Sequence, residues 1–163
     1  MLEIERKFLL PHYPDKLISS GTIVVQSEHF IDQTYLALDP DQELRVRKIV
    51  DAGTGEATYT HTFKRGNGLM REEVEYSISE SIYTQVIEAF KAKPLTKKRV
   101  TAVWEGITVE IDCYDQLNLI VIEVEFNSKE AALSFNAPEW FGPDISSERQ
   151  YSNKTIWRKL QES

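Results

Sequence analysis

A single cysteine, Cys113, stands in a chain of 163 residues, so an intramolecular disulfide is impossible and zinc-finger spacing is absent. That usage fits a reducing cytosol, and the expected localisation is cytoplasmic. No apolar run approaches the ~20 residues that span a bilayer, so no membrane association is expected. The first residues, Met1-Leu2-Glu3-Ile4-Glu5-Arg6-Lys7, are charged almost at once and lack the apolar stretch of a secretory signal. Low-complexity tracts, long linkers and tandem repeats are also missing. His12, His29 and His61 do not cluster, and each reads as a surface or loop residue. Positive charge is short: 19 Lys and Arg stand against 26 Asp and Glu, a net charge of −7. A uniformly acidic surface repels nucleic acid and phosphate, so a polyanion ligand needs locally clustered base or bound cations.

What remains is a globular composition, with 41% hydrophobic and 28% charged residues. The length suits one domain over 1–163, able to bury roughly 70% of its unfolded surface. Period-two alternation marks eight segments as strands: Leu2–Leu10, Phe30–Leu38, Glu43–Val50, Thr58–Lys64, Met70–Ile78, Thr96–Trp104, Thr108–Tyr114 and Leu119–Phe126. Short glycine-bearing turns such as Arg65-Gly66-Asn67-Gly68 and Glu105-Gly106 favour antiparallel hairpins. Helices are expected at Asp15–Ser20, ended by Gly21, and at Ser79–Ala92, with Ile82, Val86, Ile87 and Phe90 at helical spacing. A third helix, capped by Ser128, contains Ala131, Ala132, Leu133 and Phe135. The last begins near Lys154 and carries Ile156, Trp157 and Leu160 on one stripe. Each shows one apolar face and needs a surface to cover.

Charges at i and i+2 carry the chemistry. Glu3 and Glu5 share a face with Lys7; Arg45 pairs with Arg47, Glu73 with Glu75, Lys97 with Arg99, Glu110 with Asp112 and Glu123 with Glu125. For any one pair a solvated strand face is the simpler reading. The set is harder to dismiss, because neighbours on one strand face are only about 7 Å apart and like charges repel. A surface built for solubility mixes signs. Helices covering the apolar faces would turn the charged faces inward. An eight-stranded closed barrel can hold one small ligand in such an interior. The expected fold is therefore α+β, a closed antiparallel barrel with helices outside. Its charged interior needs water, metal and a charged ligand. By parity Cys113 falls on the apolar face as a core residue, and Trp104, Trp140 and Trp157 read as packing.

These motifs, taken in order, resemble the CYTH domain proteins, also called triphosphate tunnel metalloenzymes. Glu3-Ile4-Glu5-Arg6-Lys7 matches the family's Glu-x-Glu-x-Lys signature, and Arg149-Gln150-Tyr151-Ser152-Asn153-Lys154 looks like its closing basic motif. Gln33-x-Tyr35-Leu36 and Pro138-x-Trp140-Phe141-Gly142 look most like small bacterial members that act on inorganic triphosphate. The resemblance implies an eight-stranded tunnel, a small-molecule triphosphate as partner, and Mg²⁺ or Mn²⁺; no nucleic acid is expected, and a homodimer is compatible with it. It makes Glu3, Glu5 and Glu125 the first choice for the metal, with Glu123 next. A second metal would draw on Glu73, Glu75, Glu110 and Asp112. Lys7, Arg45, Arg47, Lys64, Arg99, Arg149 and Lys154 would bind phosphate. Two options stay open for the general base: a tunnel carboxylate such as Glu110 or Asp112, or Tyr35 made acidic by Lys97. Adenylate cyclase and thiamine triphosphatase chemistry are the alternatives within the family, and a non-catalytic polyphosphate-binding module is the alternative outside it.

Overall fold

The computed structural model of the protein describes residues 1–162. Eight strands close into a barrel: β1 (Leu2–Leu9), β2 (Ile23–Leu38), β3 (Gln42–Asp51), β4 (Ala57–Arg65), β5 (Met70–Ser77), β6 (Leu95–Trp104), β7 (Ile107–Tyr114) and β8 (Leu119–Glu125). Their order around the wall is β1-β5-β4-β3-β2-β6-β7-β8, and every neighbouring pair is antiparallel. The expected segments all form strands. The main difference is β2, which begins seven residues before the expected Phe30. It pairs with β6 from Ile23 to Gln33 and with β3 from His29 to Leu38. One long strand thus joins both halves of the wall, and register shifts at Val25/Ser27 and Tyr35/Ala37 let it turn.

Alternation then sorts the side chains. On β1, β6, β7 and β8 the apolar parity points outward and builds a core around Phe8, Val100, Ile111, Ile122 and Val124. Outside it lie α1 (Asp15–Ser19), α3 (Lys129–Ser134) and the segment 135–142. Phe8 meets Phe141 at 4.9 Å between ring centroids, and Trp104 meets Trp140 edge-on at 5.7 Å. Ser79 and Ser128 cap their helices as expected, accepting from Ile82 N and Ala131 N.

The helix faces differ in detail from the sequence pattern. In α2 (Glu80–Phe90), Ile82 and Phe90 are each 49% exposed; Tyr83 is the buried contact, with its ring 5.1 Å from Tyr59. In α3 the contact is Ala132, whose small side chain admits close approach, while Leu133 faces out. Cys113 is half-buried at the edge of the core rather than inside it.

The last helix, α4 (Asn153–Glu162), has a different task. Ile156, Trp157 and Leu160 pack on Leu95, Tyr114 and Val121, which share the inward parity of the charged rows. Trp157 also sits edge-on to Tyr35 at 5.6 Å, and the Tyr114 hydroxyl donates to Asn153 Oδ1. Helix α4 therefore lies across one end of the barrel and walls its interior there.

Gly142 shows how tightly the outer segment seats. Its N–H donates to the Leu9 carbonyl at 2.7 Å, and an added Cβ would stand 2.6 Å from that oxygen. Gly142→Ala should therefore cost about 1–3 kcal/mol, as overpacking does. Thermal unfolding checks this; an unchanged Tm would mean that the segment is free to shift.

Candidate active site

The inward rows enclose a cavity of about 910 Å³ lined in large part by charged side chains. Antiparallel register brings like charges face to face as well as along each strand. Glu5 stands opposite Glu125, and Glu110 opposite Glu123. Like charges directly opposed across strands destabilise a sheet.

The carboxylates gather on β1, β5, β7 and β8. Lys64 Nζ lies between Glu3 Oε1 at 2.8 Å and Glu73 Oε2 at 3.2 Å. Thr62 donates its hydroxyl to Glu75 at 2.7 Å. Glu5 meets another carboxylate instead: burial, with Glu123 and Glu3 close by, pushes its carboxyl well above the usual range. Glu110 is raised mainly by burial, and Glu125 by burial together with Glu3, Glu73 and Glu123. Glu123 differs: burial pushes it up, but Arg99, Lys7 and Lys97 together prevail and hold it at about 2. Hard oxygen donors that are buried and under-neutralised suit a hard divalent cation. Among the described residues, no three carboxylates are already gathered as a ligand set. Lys64, Thr62 and Arg99 draw several of them aside.

The cations gather around β3, β6 and α4. Arg47 is 7% exposed and has no ion pair among the described residues. Burial, followed by the neighbouring Arg45 and Arg99, lowers it to about 10. The Nε atoms of Arg45, Arg47 and Arg71 are buried without a partner among the described residues. Lys7 Nζ donates to the Tyr151 carbonyl at 2.9 Å, and Arg149, Lys154 and Arg158 line the same cavity. A buried guanidinium with idle donors is costly unless an anion meets it.

Lys97 and Asp112 do not line the cavity. Their side chains are fully buried and bonded to each other at 2.8 Å, and Arg99 forks onto the same carboxylate with two contacts of 2.8 Å. The two cations hold Asp112 well below the ordinary carboxylate range despite its burial. Lys97 falls to about 7, because burial outweighs Asp112. Tyr35 receives a hydrogen bond from Gln33 Nε2 at 3.1 Å and rises to about 12, through burial and then Glu43. The expected pairing of Tyr35 with Lys97 is therefore not the geometry found: Lys97 is committed to Asp112, and the cations beside Tyr35 are Arg45 and Arg47.

Five charged lining residues escaped the sequence reading: Asp39, Glu43, Arg71, Glu148 and Arg158. Arg71 forms an ion pair with Glu43, which is 3% exposed and also faces Arg45. Both sit two residues from a member of a like-charge pair, so parity alone would have placed them inside. Their opposite sign to that neighbour hid them.

The CYTH domain model matches residues 1–155. The chain belongs to the CYTH domain family. An inorganic triphosphatase of Nitrosomonas europaea is 32% identical over 160 residues, which cover 96% of this chain and 97% of that protein. A solved inorganic triphosphatase structure superposes with a TM-score of 0.62 at 28% identity, covering 94% of this chain and 93% of the other. The PH1012 protein of Pyrococcus horikoshii shares the fold, with a TM-score of 0.58 at 19% identity over 80% of this chain and 83% of that one.

The raised carboxyl of Glu5 has a thermodynamic consequence in this family member. A carboxyl raised on folding contributes stability that is fully present below its unfolded value near 4.3 and is lost as pH rises through the folded value. Without metal, Glu5→Gln should thus raise Tm at pH 7.5, by roughly 2–4 °C per kcal/mol of relieved repulsion. The gain should vanish near pH 4. Scanning calorimetry at the two pH values checks both; a lower Tm at pH 7.5 would show that Glu5 is already compensated.

Proposed function

We propose that this protein hydrolyses inorganic triphosphate to pyrophosphate and phosphate inside the barrel, with Mg²⁺ or Mn²⁺. Arg47 carries this reading: a buried guanidinium with no ion pair among the described residues, beside Arg45, Arg99 and the idle Nε donors, calls for a dense anion. The similarity to an inorganic triphosphatase along nearly the whole of both chains supports the same substrate. Arg45, Arg47 and Arg99, with Lys7, Lys64, Arg149 and Lys154, would neutralise and align the phosphate oxygens, the arginines with two-pronged geometry. Arg71 would join them from the Glu43 side.

Glu3, Glu5, Glu123 and Glu125 would hold the metal, which supplies charge neutralisation on the phosphate chain when bound. Glu73 and Glu75 stand beside that group. Catalysis on such a chain is mostly positioning and charge stabilisation for in-line attack by water. Glu110 is the carboxylate best suited to take the proton from that water. It lines the cavity, and burial makes it more basic than an ordinary glutamate. Asp112 is fully ionised and held by three hydrogen bonds from Arg99 and Lys97, so its part is to anchor those cations. Tyr35 stays a neutral phenol at physiological pH and would position rather than accept a proton. The half-buried free thiol of Cys113 suits a reducing cytoplasm.

A substrate panel of triphosphate, ATP, thiamine triphosphate and pyrophosphate, each with and without metal, tests the reading. Metal-dependent release of phosphate from triphosphate above the others is expected; cyclic AMP from ATP, or binding without turnover, would replace it. Arg47→Met separates ligand binding from folding. It should lower kcat/KM for triphosphate by about 10²–10³-fold, the loss typical for one charge-stabilising donor. Its Tm should stay level or rise, because an uncompensated buried charge is removed. Unchanged kinetics would take Arg47 out of the site.

A further inference from the structure

Lys64 is a cation placed among the acidic rows. It rises from β4 between Glu43 on β3 and Glu73 on β5, with its side chain nearly buried. Its ammonium touches Glu3 and Glu73, and its field also reaches Glu5 and Glu125. Those are the carboxylates that would hold a divalent cation, so the ammonium stands where positive charge is needed when no metal is there. A metal and an ammonium cannot share that spot, because both would claim Glu3. The lysine has somewhere else to go. Two residues back on the same face is Thr62, whose register partner is Arg45 at the edge of the anion-binding rows. A four-carbon stem with three freely rotating donors can cross that distance, which a fixed guanidinium fork could not do as readily.

We infer that Lys64 is an internal stand-in for the divalent cation: it holds Glu3 and Glu73 in the metal-free protein, leaves them when a metal binds, and moves onto the phosphate chain. The inference rests on the triphosphatase reading above. It also gives a reason why no three carboxylates are pre-gathered as a ligand set among the described residues: the ammonium draws Glu3 and Glu73 onto itself. Metal and phosphate would then assist one another, since each rewards the same movement of one side chain, and such coupling is reciprocal.

The test is Mn²⁺ titration of the metal-free, phosphate-free protein, followed by electron paramagnetic resonance of the free ion. Lys64→Met should bind Mn²⁺ about tenfold more tightly than wild type, because no ammonium competes. Lys64→Arg, which keeps the charge, should stay within about threefold of wild type. If Lys64→Met fails to fold, Lys64→Gln is titrated with the same expectation. Equal or weaker Mn²⁺ binding in the neutral variant overturns the inference. If wild type still hydrolyses triphosphate with metal in that case, only the role of Lys64 fails. If wild type neither binds Mn²⁺ nor hydrolyses triphosphate, both readings fall.

Discussion

Charge that cannot cancel within the chain is the constraint on which this structure turns. Carboxylates face carboxylates across β1, β8 and β7, while guanidinium groups crowd β3 and β6. A domain of this size is stable by only about 5–15 kcal/mol, so such repulsion has to be offset elsewhere. The offset lies on the outside of the barrel. Phe8, Ile111, Ile122, Val124 and the aromatic cluster around Phe141 bury their apolar surface there, and barrel closure joins β1 to both β5 and β8. The usual arrangement of a small barrel, with its apolar core inside, is inverted. That inversion makes room for a polar ligand.

Within the interior, ion pairing divides the charges by task. Asp112 is satisfied three times over by Lys97 and Arg99 and reaches no cavity surface. It ties β6 to β7 and fixes the Arg99 guanidinium, whose remaining side faces Glu110 and Glu123. Glu43 does similar work for Arg71 and Arg45 on the opposite wall. Among the described residues Arg47 and Glu125 form no ion pair and Glu5 meets chiefly other carboxylates, and they are the groups a polyanion and a divalent cation would meet. A preorganised site must keep such groups exposed to ligand yet shielded from water, and it does so at a cost in stability.

Period-two alternation, together with the recurrence of like charges two residues apart, determined the barrel, its antiparallel hairpins and the shared face of the charged pairs from Glu3 to Glu125. Strand parity is a local property, so it survives in the linear text. Helix caps at Ser79 and Ser128 were legible for the same reason. Tertiary structure alone decided which charges meet. Register placed Lys97 on Asp112 rather than beside Tyr35, set Lys64 among the carboxylates, and joined Arg71 to Glu43 across an intervening strand. It also laid α4 over one end of the barrel and turned Tyr83, not Ile82, onto the wall. Those outcomes depend on distances between residues far apart in the chain, where alternation specifies which face a side chain takes but not which partner waits on it.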